Sequence, residues 1–116
     1  MTTLWLALAG GLGAGTRYVV DLWVRPRVSP RLPWSTLLIN VTGSFALGLL
    51  VGAGADTASY AVLGTGFLGG YTTFSTASVE VAHMVLDRRY AAAAVDAVAM
   101  LTVSVAAAAG GYVLGR

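Results

Sequence analysis

Between Trp34 and Gly54 the chain carries no charged side chain, and three further stretches are nearly as apolar. Leu4 to Val24 is interrupted only by Arg17 and Asp21, Ala58 to Leu86 by Glu80 and His83, and Tyr90 to Leu114 by Asp96 near its start. About 20 apolar residues cross a bilayer core as a helix. Four such stretches fill almost the whole of a 116-residue chain. Charged residues make up 10% and hydrophobic ones 57%, against roughly 25% charged in a soluble domain. A chain this short could not cover such a surface with polar groups, so lipid is the expected solvent. The runs are rich in Ala and Leu and lack the alternation of a barrel strand. The expectation is an all-α integral membrane protein, one domain over 1–116, with spans at about 4–24, 34–54, 58–86 and 90–114.

Met1 to Leu8 lacks the basic residues of a signal-peptide n-region, and the apolar stretch continues past residue 20, as a first span does. The connections carry the charge. Arg25, Arg27 and Arg31 lie between spans one and two, and Arg88 and Arg89 between spans three and four. Arg17 lies near the end of span one. Arg116 stands on the opposite side, with both termini. The positive-inside rule then predicts a multi-pass protein of the cell membrane with its termini outside the cytoplasm. Trp5, Trp23 and Trp34 fall near span ends, where interfacial anchors belong. Gly11/Gly15, Gly48/Gly52 and Gly66/Gly70 form GxxxG pairs, extended by Ala107 and Gly111 on span four. Such pairs predict close helix contacts, within a subunit or across a dimer.

Several function classes are excluded. The chain has no cysteine and one histidine, His83, too little for a thiolate or imidazole metal site. Gly11-Leu12-Gly13-Ala14-Gly15 lacks the strand and the later acid of a dinucleotide loop. There is no lysine for a phosphate-binding loop and no basic cluster for nucleic acid. No catalytic triad or carboxylate pair is spaced for chemistry, so no enzyme is expected.

Polar residues inside the spans are costly and mark candidate function. Thr36, Asn40 and Ser44 recur every four residues and share one helix face. That stripe suits either a polar pathway or a hydrogen-bonded ladder between helices. Span three holds the densest signal: Gly66, Gly69 and Gly70 precede Thr72, Thr73, Ser75, Thr76 and Ser78. So many glycines and hydroxyls predict a broken helix, tolerated in a membrane only where protein or water satisfies the freed backbone. Freed carbonyls would suit a cation, and freed amides and hydroxyls an anion. Arg17 and Glu80 are expected as structural or gating charges, or as interfacial ones.

Three segments in order carry a family likeness: Gly10-Gly11-Leu12-Gly13-Ala14-Gly15-Thr16-Arg17-Tyr18, Asn40-Val41-Thr42-Gly43-Ser44-Phe45, and Gly66-Phe67-Leu68-Gly69-Gly70-Tyr71-Thr72-Thr73-Phe74-Ser75-Thr76. Over essentially its whole length the chain resembles the small fluoride channels, the Fluc or CrcB family. The resemblance implies an antiparallel dimer that lets cytoplasmic fluoride flow out passively. It implies a pore in which Asn40 donates its amide and Phe74 presents its positive ring edge. Ser44, Thr73, Ser75 and Thr76 would add hydroxyl donors. It further implies a structural sodium ion at the dimer interface, held by the carbonyls of Gly69 and Thr72 from each subunit.

Two features depart from that pattern. Ala77 stands where the family usually has a second phenylalanine, and position 108 is Ala in a span short of hydroxyls. The arginine bias also favours one orientation, whereas an antiparallel homodimer needs one sequence to insert both ways. The second subunit is therefore expected to be either an identical chain or an oppositely oriented homologue. The alternatives are a small four-helix multidrug-type transporter and a non-transporting membrane scaffold. The transporter needs a carboxylate within span one, where Asp21 lies too near the end.

Overall fold

A computed structural model describes residues 2–28, 33–72 and 74–116, with the side chains of Thr2, Phe74 and Ser75 left out. The described chain is helical throughout and 46 Å along its longest axis. Helix α1 is Thr2–Val24, followed by a 3-10 turn, Arg25–Arg27. Helix α2 is Trp34–Gly52. The third run is segmented: α3 (Thr57–Ser59), a π-helical stretch (Tyr60–Leu68), α4 (Gly69–Tyr71), and then α5 (Phe74–Leu86). Helix α6 is Tyr90–Gly115. Among the described residues, α2 and α6 are long and apolar enough to cross a membrane. Many large apolar side chains point outward, Leu12 at 67% and Leu101 at 69% exposure among them. So much exposed apolar surface is what a lipid-facing or partner-facing helix presents.

Small residues set which helices touch. A Cβ built on Gly48 would lie 2.0 Å from the Ala108 carbonyl oxygen, and one on Gly111 2.2 Å from that of Phe45. Helices α2 and α6 therefore pack backbone to backbone, and their contacts advance together, from Asn40 with Met100 to Gly52 with Tyr112. The two helices run parallel. Helix α1 packs in the same way on the third run, with Gly70 against Gly10 and Gly13 against Phe67. The face of α1 in contact is that of Gly10 and Gly13. Gly11 and Gly15 have no neighbour within 4 Å in this chain, so the predicted pair on span one lies on its outer side. Leu47 meets Gly64 and Thr42 meets Tyr71, so α2 runs against the third run. This arrangement brings the arginine-bearing connections 25–28 and 87–89 to one end of the molecule.

Polar clasps fix the pairing. The Ser35 hydroxyl donates to Asp21 Oδ1 at 2.6 Å, tying α2 to α1. The Thr36 hydroxyl donates to Glu80 on α5. Thr42 and Tyr71 share a hydrogen bond of 2.9 Å. Interhelical hydrogen bonds in membrane proteins average about 0.6 kcal/mol, so the close-packed glycines carry more of the architecture than these clasps do. At the arginine-bearing end, the Arg27 guanidinium lies 4.3 Å from the Trp23 ring centroid and donates to the Trp23 carbonyl. That cation–π contact orients the Trp23 ring.

The third run starts at a capped turn. Asp56 Oδ1 accepts from the Ser59 amide at 2.7 Å, satisfying one of the free donors of the first turn. This bond, joined by one to the Ser59 hydroxyl, holds the Asp56 carboxyl below its ordinary value. A depressed carboxyl contributes stability above its unfolded pKa and loses it as pH falls through the folded value. Acidification below the ordinary carboxylate range is expected to speed amide hydrogen exchange at Ser59. Asp56→Asn is expected to remove that pH dependence while keeping the cap; an unchanged dependence would refute this role.

Candidate functional site

Three elements converge beside the end of α4. Thr72 leaves the helix with extended backbone angles, φ −76° and ψ 159°. Its methyl lies 2.3 Å from where a Gly43 Cβ would stand, so only glycine at 43 lets Thr72 approach α2 so closely. The Thr72 hydroxyl donates to the Leu68 carbonyl at 2.9 Å. Its single proton is committed there, and the Thr72 amide donates to the same carbonyl, which leaves the backbone carbonyl as what Thr72 offers to a ligand.

Beside this junction lies a cavity of about 530 Å³. Helix α2 contributes Asn40, Ser44 and Leu47, which recur at helical spacing along one face. Helix α6 contributes Asp96, Met100 and Ser104, again every four residues. Ala77 and Ser78 of α5 and Gly69 close another side. Asn40 is 9% exposed and donates to Met100 Sδ at 3.4 Å. A thioether is a weak acceptor, so an anion can compete for that amide. Among the described buried side chains, Asp96 Oδ2 and Ser104 Oγ have no hydrogen-bond partner.

A second, smaller pocket of about 120 Å³ is lined by Arg17, Asp21, Arg25, Thr36 and Thr76, among others. Arg25 donates to Asp21 through two nitrogens, at 2.9 and 3.1 Å. That bond, and then the fields of Asp21 and Glu80, hold the Arg25 guanidinium above its ordinary pKa. Asp21 also accepts from Ser35, so this carboxylate is doubly engaged at the end of α1.

The expected site residues therefore divide. Asn40, Ser44, Gly69 and Thr72 share the large cavity, while Arg17 and Thr76 share the small one. The stripe Thr36–Asn40–Ser44 bridges the two, with Thr36 committed to Glu80. Thr73 and the side chains of Phe74 and Ser75 lie outside the described residues. Asp96 and Ser104 did not stand out as site residues in the sequence. A lone carboxylate inside an otherwise uncharged run was the available signal for Asp96.

The family model described as CrcB-like protein, Camphor Resistance (CrcB), matches residues 4–112. A relative from Leifsonia xyli, called fluoride-specific ion channel FluC 1, is 46% identical over 99% of this chain and 87% of its own length. One from Cutibacterium acnes, fluoride-specific ion channel FluC 2, is 43% identical over 99% of this chain and 98% of its own. One from Geobacillus kaustophilus, fluoride-specific ion channel FluC 1, is 43% identical over 97% of both.

Proposed function

The chain belongs to the CrcB-like family, and from that premise we propose that it is a subunit of a fluoride-selective channel through which the anion leaves the cytoplasm passively. The observation that carries this is the cavity where the Asn40 amide and the Ser44, Ser78 and Ser104 hydroxyls face a common space. Fluoride is small and holds its water tightly. A pathway must replace that water with close hydrogen-bond donors, and charge-assisted bonds of this kind are the strong ones. The multidrug alternative finds no support on α1, where Asp21 is engaged by Arg25 and Ser35 rather than open to protons and drug.

In this proposal the four runs span the membrane and the third is a broken helix, for which the extended Thr72 backbone is the support. Asn40, Ser44, Thr73, Phe74, Ser75 and Thr76 supply the anion pathway. Arg17 and Glu80, at the arginine-bearing end, act as structural or gating charges. The cavity is far wider than a bare halide, so selectivity requires a narrower point, which a second, antiparallel subunit would provide. Ala77, 8% exposed and lining the cavity, leaves room there that a partner's aromatic ring could fill. That room and the arginine bias favour an oppositely oriented homologue as partner. The same bias supports an orientation with both termini outside the cytoplasm. A structural sodium ion would suit carbonyl oxygens of Gly69 and Thr72, hard ligands at the end of a helix where Thr72, its amide still bonded to Leu68, turns extended. When bound, the ion would hold the two subunits in register.

Fluoride efflux from liposomes bearing the purified chain, with chloride as control, tests the function. Fluoride-selective efflux from the chain alone would establish the channel and favour an identical partner. Efflux only with an oppositely biased homologue would establish a paired channel. Silence in both would refute the proposal.

A further inference from the structure

Asp96 is a carboxyl residue inside a cavity proposed to carry an anion. It is 6% exposed, lines the cavity that Asn40 and Ser44 also line, one turn before Met100 on α6, and its Oδ2 has no hydrogen-bond partner. Ser104, two turns along the same face of α6, is likewise unpartnered at Oγ. The geometry points to Asp96, in its protonated form, as a hydrogen-bond donor to the anion in this cavity. The inference rests on the fluoride-channel proposal and adds a ligand to its pathway.

A carboxylate and a fluoride ion a few ångströms apart in a low-dielectric cavity repel strongly, which lowers joint occupancy on the order of a hundredfold. Protonation removes the charge and turns one carboxyl oxygen into a donor. An O–H aimed at a halide makes a charge-assisted bond. Hydrogen fluoride is a stronger acid than a carboxylic acid, so the proton stays on Asp96 and the transported species remains the anion. The Asn40 amide on α2 faces the same space, so the two side chains together form an uncharged donor pair.

Among the described residues, one rival for the proton stands near the cavity. Helix α2 has no charged side chain from Trp34 to Gly52. From α5 the cavity receives Ala77, Ser78 and Val81, and from the π-helical stretch Gly64 and Leu68. Glu80 of α5 lies within reach of the field of Asp96, and it accepts from Thr36. His83 on the same helix is exposed, Tyr71 is bonded to Thr42, and Arg17 and Asp21 of α1 line the smaller pocket.

Binding and protonation are then linked: fluoride raises the protonated fraction of Asp96, and protonation raises fluoride affinity by the same factor. The test uses the full chain in vesicles, with its homologous partner where that is needed for flux. Fluoride current is read at fixed membrane potential, which excludes leak of neutral hydrogen fluoride. Wild-type current is expected to fall as pH rises, approaching about tenfold per pH unit on the alkaline limb. Asp96→Asn keeps a donor without a titratable group and is expected to give a flat profile, whereas Glu80→Gln should retain the slope. In parallel, the protonated-carboxyl infrared band that Asp96→Asn removes is expected to grow when sodium fluoride is added at constant pH. A current carried normally while that band ignores fluoride, or a slope that survives Asp96→Asn, overturns the inference and leaves the channel standing. No current under any condition refutes the channel reading and this inference with it.

Discussion

Asn40→Leu is expected to reduce fluoride flux by about ten- to a hundredfold while the chain still folds. A hydrogen bond to a charged group contributes roughly 1.5–3 kcal/mol, and each 1.36 kcal/mol is a factor of about ten in rate. Leucine matches the amide in size but offers no donor to an anion that has shed its water. The residue is buried on the α2 face that lines the cavity, and its Nδ2 rests on the Met100 sulfur. An apolar contact between Leu and Met would stand in place of that weak bond. Circular dichroism and size-exclusion elution in detergent would report the fold, and liposome efflux the function. Asn40→Gln, which keeps the donors on a longer arm, is expected to retain more flux than Asn40→Leu. Equal flux from Asn40→Leu and wild type would remove Asn40 from the pathway and leave a hydrogen-bonded ladder between α2 and α6 as its role.

The helical class was legible because backbone polar groups in lipid must be satisfied within a segment, and the long uncharged runs admit few other solutions. The boundaries of α2 and α6 follow for the same reason: their runs end at Pro33, Gly54 and the arginine pair. The π-helical stretch Tyr60–Leu68 was not legible. Its periodicity differs from an α-helix by less than a residue per turn, and a run of Ala, Val, Leu and Gly carries no pattern sharp enough to show that. The site was half legible. The face shared by Asn40 and Ser44 follows from spacing four, but which α6 residues stand opposite depends on the register in which glycines let two backbones meet. Gly48 against Ala108 sets that register, and it places Asp96, Met100 and Ser104 across from α2. A single sequence shows that the glycines exist and leaves open which helix each one meets. The outward placement of Gly11 and Gly15, against the inward placement of Gly13, is the same ambiguity seen on α1.

Gly48→Val is expected to destabilise the fold by about 3 kcal/mol or more, at the upper end of overpacking costs, and to abolish flux as a consequence. The Cβ would stand 2.0 Å from the Ala108 carbonyl oxygen and 2.9 Å from the Tyr112 nitrogen. Both are backbone atoms, so no side-chain rotamer relieves the clash and α2 must move away from α6. Separating the helices weakens contacts along the interface that runs from Asn40 and Met100 to Gly52 and Tyr112. Each heavy-atom pair carries only about 0.1–0.2 kcal/mol, but many are lost together. No hydrophobic force in lipid pushes the helices back together, because lipid tails solvate an exposed leucine as well as protein does. The contact is therefore less forgiving than its counterpart in a water-soluble core. Gly110→Ala is the control: its Cβ would meet nothing within 4 Å in this chain, and alanine favours the helix by up to about 1 kcal/mol. Denaturant titration of both variants in mixed micelles would compare them. If Gly48→Val unfolded at the wild-type midpoint, α2 and α6 could not be in the close contact described, and the cavity built on their register would lose its basis.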